Sequence, residues 1–176
     1  MDFSEIYQRL QTRFGAAIIG SNATALDPWV EVEPAALPEI GRFLRDEPQL
    51  RFDMLHCITG VDYFQPDAAA AAKLPWQPHT EVIFHLSSMV HRHRLVLKVM
   101  LPRWQGGVAG QLPEVRTVSG IWSTANWHER EVFDLSGVRF TGHPDLRRIL
   151  CPEDWAGHPL RKDYQMPAAY HGIQSR

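Results

Sequence analysis

Histidine and carboxylate side chains cluster in the last third of the chain, where they could support acid–base or metal chemistry. His128, Glu129 and Glu131 lie close together, and His143 and His158 follow in later segments. Glutamate and histidine are common general acids and bases, and both can bind zinc. Metal-binding histidines are usually spaced along one helix or hairpin, whereas His143 and His158 stand in separate turns that contain proline and glycine. We therefore predict no catalytic and no metal-binding residue in this chain.

Cofactor-binding motifs are equally weak. The chain has 2 cysteines, Cys57 and Cys151, far apart in sequence, whereas an iron–sulfur cluster usually needs four thiolates. The glycine-rich stretch 106–110 lacks the lysine and serine of a phosphate-binding loop, and no Gly-x-Ser-x-Gly motif of a hydrolase is present. We predict that this chain binds no cofactor.

Composition is that of an ordinary globular protein, with 44% hydrophobic and 22% charged residues and a formal net charge of −2. A nucleic-acid-binding protein would normally carry a basic face, so we predict no nucleic-acid partner. The longest apolar stretch, 95–101, is interrupted by Lys98 and is far shorter than the roughly 20 residues that cross a bilayer. Any membrane association should therefore depend on partners.

The elements that position these residues can be predicted from hydrophobic periodicity. Apolar residues at helical spacing indicate a first helix from Phe3 to Phe14, and Pro34 and Pro48 bound a second. Strand-like runs occupy 16–20, 29–33, 52–63, 80–90 and 93–101. Helices at both ends and strands between them predict an α+β fold, a small mixed β-sheet packed with helices and followed by an extended C-terminal arm.

Three domain segments follow from this pattern. Residues 1–118 are predicted to form the α+β domain, including a surface loop at 65–78 and a tight turn at His91 and Arg92. Residues 119–136 form a junction helix that Ser119 could cap. Residues 137–176 are rich in proline, charge and aromatics but lack apolar periodicity, so they should form an arm without its own core. The arm either folds against a partner or wraps back over its own domain.

The junction helix carries charges of both signs. Arg130 and Asp134 lie four residues apart and are expected to pair, while Trp127 and Glu131 share a face. A larger network could join seven charged residues: Glu129, Glu131, Asp134, Asp145, Arg130, Arg147 and Arg148. A buried network would fix the register between surfaces, because a buried charge left unpaired is costly. The alternative is a solvated helix with surface ion pairs worth about 0–1 kcal/mol.

A longer ordered motif runs through residues 127–164. It reads Trp-His-Glu-Arg-Glu-Val-Phe-Asp-Leu at 127–135, Gly-His-Pro at 142–144, Leu-Arg-Arg-Ile-Leu at 146–150 and Pro-Leu-Arg-Lys-Asp-Tyr at 159–164. This order of residues resembles the signature of the family that comprises the 30-kDa-type subunit, also called the C subunit, of respiratory complex I. Asp62 and Tyr63 fit that family more weakly. One departure is Gln165, which stands where the family usually has proline after the final tyrosine.

The resemblance implies a non-catalytic scaffold in the hydrophilic arm of a proton-pumping NADH:quinone oxidoreductase. Partner subunits would bind NADH, FMN, iron–sulfur clusters and quinone. The chain would be a peripheral member of a hetero-oligomer on the cytoplasmic face of the bacterial inner membrane, in contact with the D subunit and others of the quinone-reducing module. The implied partner interface is Trp127, Glu129, Arg130, Glu131, Asp134, His143, Arg147, Arg148, Trp155, Arg161, Lys162, Asp163 and Tyr164.

Two alternatives remain open at the level of sequence. The equivalent subunit of a membrane-bound hydrogenase, or of a related complex with another electron donor, would share the motif. A stand-alone hydrolase or metal enzyme would instead use the histidines directly.

Overall fold

Amphipathic patterns and end signals define the helices in the computed structural model, which describes residues 1–174. Asp2 caps α1: its side chain accepts the Glu5 N–H, and the Glu5 side chain accepts the Asp2 N–H in return. Such reciprocal bonds satisfy N–H groups that a helix terminus leaves free. The helices are α1 (Phe3–Phe14), α2 (Leu37–Asp46), α3 (Ala68–Ala71) and α4 (Ala125–Ser136).

A mixed sheet forms the centre of the fold. Its five strands are ordered β1-β2-β5-β4-β3, with β2 and β5 parallel and the other neighbours antiparallel. The strands are β1 (Ile18–Asn22), β2 (Trp29–Val32), β3 (Met54–Tyr63), β4 (His79–Ser87) and β5 (Arg94–Pro102). Successive strand side chains point to opposite faces, so each strand contributes one residue set to the core and another to the opposite face.

Helices cover one face of this sheet. Side chains from α1, α2 and α4 form one core with alternate residues of the strands, for example Ile6, Leu10, Ile40, Leu44, Val132, Val30, Phe84, Leu97 and Val99. On β5 the exposed or half-buried Lys98 and Met100 alternate with these core residues and point to the other face. That second face has no helix packed over it among residues 1–174, and we call it the open face.

Gly60 allows α4 to lie directly on β3. A Cβ atom at this position would be 2.8 Å from Ser136 Cβ and 2.9 Å from Val132 Cγ1. Real Cβ atoms do not approach other carbon atoms so closely, and the absence of a side chain lets the helix backbone sit against the strand. This contact fixes the position of α4, which carries the central part of the motif.

The predicted fold class is confirmed, and the predicted helices and strands correspond to observed ones. One boundary is wrong: α4 begins at Ala125 and not at Ser119, because residues 117–124 form turns instead of helix. The Ser119 N–H donates to the Thr117 hydroxyl, so Ser119 stabilises a turn and caps no helix. Two features were not predicted: the short helix α3 lies inside the predicted loop 65–78, and β6 (Glu114–Arg116) pairs in parallel with β7 (Arg139–Thr141) in a second small sheet.

The arm after α4 has little regular structure, as predicted. Beyond β7 it forms only a short hairpin of β8 (Ala169–Tyr170) and β9 (Ile173–Gln174) within the described residues. The arm lies against its own domain, which corresponds to the second of the two arrangements that the sequence left open. Within residues 1–174, no helix has the length and apolar character needed to cross a bilayer.

Candidate interaction site

Asp134 on α4 is the main anchor of the arm. Its side chain is fully buried, and Oδ2 accepts the backbone N–H groups of three consecutive arm residues, Ile149 (3.0 Å), Leu150 (2.8 Å) and Cys151 (2.8 Å). Oδ1 accepts the Arg148 guanidinium at 2.6 Å. Burial by itself would raise the pKa of Asp134, but these bonds outweigh it and hold the pKa below its ordinary value. We call this group the Asp134 anchor.

Arg130 does not pair with Asp134, so that prediction is wrong. The carboxylate of Asp134 points into the arm, where four donors already occupy it. The Arg130 side chain is buried, and its Nε and Nη2 donate to the carbonyls of Arg147 (3.1 Å) and Arg148 (3.3 Å). Its guanidinium lies 5.0 Å from the centre of the Trp127 ring. Arg130 thus satisfies arm carbonyls next to the Asp134 anchor.

Arg148 and His158 extend this contact along the arm. Arg148 Nη2 donates to the carbonyls of Trp155 (2.9 Å) and Gly157 (2.8 Å), and His158 Nδ1 donates to the Asp134 carbonyl at 2.9 Å. The His158 ring lies directly over Gly137, the left-handed residue that ends α4 at φ 72°. A side chain at Gly137 would collide with this ring, and burial lowers the pKa of His158.

A second anchor fixes the arm to the sheet, and we call it the Asp62 clamp: Asp62, Arg103, Arg161, Lys162 and Asp163. Arg103 donates from Nε and Nη2 to the two carboxylate oxygens of Asp62, at 2.7 and 2.9 Å. Arg103 Nη2 also lies 2.6 Å from Asp163, and the Lys162 N–H donates to Asp62 at 2.8 Å. Asp62 and Arg103 are both buried, so this bidentate pair is shielded from water.

Aromatic rings complete the Asp62 clamp. The Arg103 guanidinium lies 3.8 Å from the Phe64 ring centre, and that of Arg161 lies 3.6 Å from Trp104. Burial, reinforced by the nearby charge of Arg103, lowers the pKa of Arg161. The hydrogen bond from Arg103 lowers the pKa of Asp163. The clamp therefore joins β3, the end of β5 and the last part of the motif.

Glu129 occupies a separate buried position. Its Oε1 accepts the Val118 N–H at 2.7 Å, its Oε2 bonds to the Thr117 hydroxyl, and His143 Nε2 lies 3.9 Å away. Burial raises the pKa of Glu129 to about 7, although both hydrogen bonds oppose that change. Glu129 has no arginine partner within residues 1–174, so the predicted charge network is divided. Glu129 ties the loop before α4 to the helix, whereas Asp134 binds the arm.

The raised pKa of Glu129 should make the stability depend on pH. The folded chain keeps this proton over a range in which the unfolded chain loses it, so the stability is complete below the ordinary value of 4.5 and falls as pH rises to about 7. We expect Glu129→Gln to match the original chain at pH 5 and to exceed it at pH 8 by about 2–3 kcal/mol. Urea unfolding at both pH values measures this difference. The exposed Glu131→Gln should follow the original chain; an unchanged pH dependence in Glu129→Gln would contradict the assignment.

The predicted interface residues fall into an inward and an outward set. Glu129, Arg130, Asp134 and Arg161 are buried and hold the protein together. The outward or half-buried set is Trp127, Glu131, His143, Arg147, Arg148, Trp155, Lys162, Asp163 and Tyr164. The His143 side chain is nevertheless enclosed, because its Nε2 donates to the Asn126 carbonyl and its Nδ1 accepts the Asp145 N–H.

Exposed apolar side chains accompany the outward set. Trp127 is 64% exposed, Leu150 62% and Leu160 58%. Trp127 and Leu160 lie close in sequence to the two anchors, and Leu150 belongs to the Asp134 anchor through its N–H; we call the three the apolar surface residues. Over residues 1–174, no three His, Cys, Asp or Glu side chains are grouped so that they could hold a metal ion.

Sequence reasoning missed Asp62, Arg103 and Thr117 as members of the site. Asp62 carries no distinct signal, since the strand run 52–63 also contains the polar residues Asp53, His56 and Thr59. Its partners Arg103 and Lys162 lie 41 and 100 residues away, and no local spacing relates positions so distant. Thr117 lies in a turn directly before the segment that sequence reasoning assigned to a helix.

The α+β domain holds the motif-bearing arm by buried ion pairs and leaves large apolar side chains exposed. These features define an interaction subunit of a larger assembly. Residues 30–170 match the family described as respiratory-chain NADH dehydrogenase, 30 Kd subunit, and the chain belongs to this family. The chain is therefore one component of an NADH–quinone oxidoreductase complex, which is hetero-oligomeric and membrane-associated.

Relatives and solved structures agree with this assignment. The C subunit of NADH-quinone oxidoreductase from Roseiflexus sp. (strain RS-1) is 44% identical over 96% of this chain and 87% of the relative. That of Chlorobium phaeobacteroides (strain DSM 266 / SMG 266 / 2430) is 39% identical over 96% and 92%. A solved trypsin-resistant fragment of Nqo5, residues 1–134, is 25% identical with a TM-score of 0.59 and covers 83% of this chain and 100% of the fragment. These matches favour the respiratory-chain complex over a hydrogenase.

Proposed function

We propose that this chain is a non-catalytic scaffold that braces the quinone-reducing module of a proton-pumping NADH:quinone oxidoreductase. NADH, FMN, iron–sulfur clusters and quinone bind to partner subunits in this proposal. The charged residues that sequence suggested for acid–base chemistry support it, because Glu129, Asp134 and His143 are bonded to groups of their own chain. A general acid or base must reach a substrate proton, and these buried groups are engaged elsewhere.

The observation that carries the proposal is the docked arm with its exposed apolar surface residues. The Asp134 anchor and the Asp62 clamp hold residues 148–163 in place, while Trp127, Leu150 and Leu160 remain exposed. A surface ordered before binding loses less conformational entropy when a partner covers it. Exposed aromatic and aliphatic side chains then supply the apolar contacts typical of interface centres.

The D subunit and the other members of the quinone-reducing module are the partners in this proposal. The outward set, including Glu131, Lys162 and Tyr164, surrounds the apolar surface residues with polar groups, as in the rim of an interface. The complex would hold the chain peripherally at the cytoplasmic face of the bacterial inner membrane.

Changing the apolar surface residues should impair assembly without unfolding the chain. We expect Trp127→Ala and Leu160→Asp each to lower recovery of intact complex at least about tenfold, since a central interface residue contributes about 2 kcal/mol or more. Thermal unfolding of the isolated chain should change little because both side chains are mostly exposed. The measurements are subunit recovery after affinity purification and the thermal midpoint of the isolated chain.

Met89→Asp is the matched control. Met89 is a large apolar residue with a similar exposed fraction, 68%, but it lies in the β4–β5 turn, outside the motif. Its complex should be recovered normally. Normal recovery of the Trp127→Ala and Leu160→Asp complexes would contradict the proposed role of this surface.

A further inference from the structure

The open face of the sheet contains a groove distant in sequence from the motif. It has a volume of about 740 Å³ and lies where β1, β2, β4 and β5 meet the loop 65–78. We call it the acidic groove, and its principal lining residues are Ile19, Glu31, Glu33, Trp76, His79 and Met100. Neither the core nor the two arm anchors use these side chains.

Aromatic stacking builds one wall of the acidic groove. Tyr63 stacks on His79 with ring centres 4.3 Å apart, and Trp76 packs edge-on against Tyr63 at 5.4 Å. These contacts attach the segment 65–78 to the last residue of β3 and the first residue of β4. Ile19 and Met100 are 49% and 42% exposed. The groove therefore offers a fixed aromatic wall and uncovered aliphatic side chains.

The charge of the acidic groove is unbalanced. The Lys98 ammonium lies 3.3 Å from Glu81 and 4.6 Å from the Trp29 ring centre, so it is already engaged. Within residues 1–174 the Glu31 carboxylate makes no ion pair, and burial together with the neighbouring Glu81 raises its pKa. Glu33 adds an exposed carboxylate at the same end of β2.

Three carboxylates, Glu31, Glu33 and Glu81, thus share Lys98 and His79, whose Nε2 lies 3.7 Å from Glu81, and a cation from outside would relieve the remaining repulsion. An acidic ligand or a nucleic-acid phosphate would be repelled by the same charges. The apolar wall requires more than a bare metal ion, because Trp76, Ile19 and Met100 offer contact area and no ligand atoms suited to a hard cation. Arginine and lysine side chains combine a charge with an apolar stem and stack well on aromatic rings.

We propose that the acidic groove binds an extended segment of a neighbouring subunit of the complex, with an arginine or lysine side chain directed to Glu31 and Glu33 and an adjacent apolar residue against Trp76 and Met100. The inference rests on the proposed function, since it requires partner subunits. It places a second contact on the open face, independent of the arm.

Site-specific photocrosslinking in the intact complex tests this proposal. The photoreactive residue p-benzoylphenylalanine is placed at Met100, at Trp127 as the reference for the arm surface, and at Met89 as the control. Irradiation of the purified complex, followed by mass spectrometry of the linked peptides, identifies the neighbour of each position. We expect Met100 to link to a partner peptide that contains arginine or lysine, and Met89 to give no link to another protein.

Charge reversal provides the second measurement. Glu33→Lys, at an exposed position, should lower the yield of the Met100 crosslink at least about tenfold, because it turns attraction into repulsion. Glu31→Gln should lower it less. Glu39→Lys, an equally exposed reversal on α2, should leave the yield unchanged. Unaltered thermal unfolding of each variant shows that the fold is retained.

The outcomes separate the two proposals. A crosslink from Trp127 without one from Met100 overturns the groove proposal and leaves the proposed function standing. Absence of both crosslinks from an intact complex contradicts the proposed function. A Met100 crosslink to lipid, to a second copy of this chain, or to a segment without a basic residue overturns the groove proposal, as does a yield insensitive to Glu33→Lys.

Discussion

Asp134→Ala is expected to lower the free energy of unfolding by about 3–5 kcal/mol, because it leaves a partly buried arginine and three backbone N–H groups without their acceptor. The arm should detach from α4 while the sheet and its core remain folded. Urea unfolding of the isolated chain at pH 7 measures the loss. Trypsin cleavage after Arg147 and Arg148 should become faster, because both carbonyls lose contact with the helix.

The sign of the pH dependence gives a further check on Asp134. Its pKa is lowered in the folded chain, so its stabilisation is present above the usual range of aspartate and is lost as pH falls below it. Asp134→Ala should therefore differ most from the original chain near neutrality and least in strong acid. Glu131→Ala, exposed on the same helix, should change stability by less than about 0.5 kcal/mol. A similar small change in Asp134→Ala would contradict the anchor.

Arg103→Met should destabilise the chain by about 3–5 kcal/mol, since it leaves the buried carboxylate of Asp62 without its bidentate partner. Methionine keeps an apolar side chain of similar length and removes the guanidinium from Asp62, Asp163 and the Phe64 ring, so the loss reports the contacts of the guanidinium. The measurement is equilibrium unfolding in urea. The arm should also become cleavable after Arg161, because the clamp no longer holds Asp163.

A double variant separates pairing from general damage. Adding Asp62→Leu to Arg103→Met should restore part of the lost stability, because a buried pair replaced on both sides leaves no unpaired charge. Strict additivity of the two substitutions would show that they do not interact. Arg147→Met is the surface control: Arg147 and Asp145 are both exposed, so losing their ion pair should change stability far less than losing the buried pair of Asp62 and Arg103.

Local signals made the framework of the fold predictable. Helical spacing between Phe3 and Phe14, the prolines around α2 and the turn between β4 and β5 each depend on neighbouring residues alone. The α+β fold class follows from the order of these elements. The family motif was also recognisable, since its residues stand in a fixed order along the sequence.

Contacts between distant segments were not predictable in the same way. Spacing on a helix suggested that Arg130 pairs with Asp134, yet both side chains bind arm atoms that no helical rule places there. The parallel pairing of β6 with β7 joins segments on either side of α4, and each strand is only three residues long. Such short strands carry too few residues for an alternating pattern to be recognised.

The two anchors differ in how far apart in sequence their partners lie. Asp62 belongs to β3 and Asp134 to α4, so the arm can seat only after the helix has closed on the strand at Gly60. The contact of Lys162 with Asp62 spans 100 residues, whereas the contacts of Asp134 with the arm span 15–17, and closing the longer segment costs more entropy. We therefore expect the contact with Asp62 to form after the contact with Asp134, so that an arm held at both anchors marks a chain whose sheet and helix are already packed. A partner that recognises the arm in this state would bind fully folded copies of this protein in preference to incomplete ones.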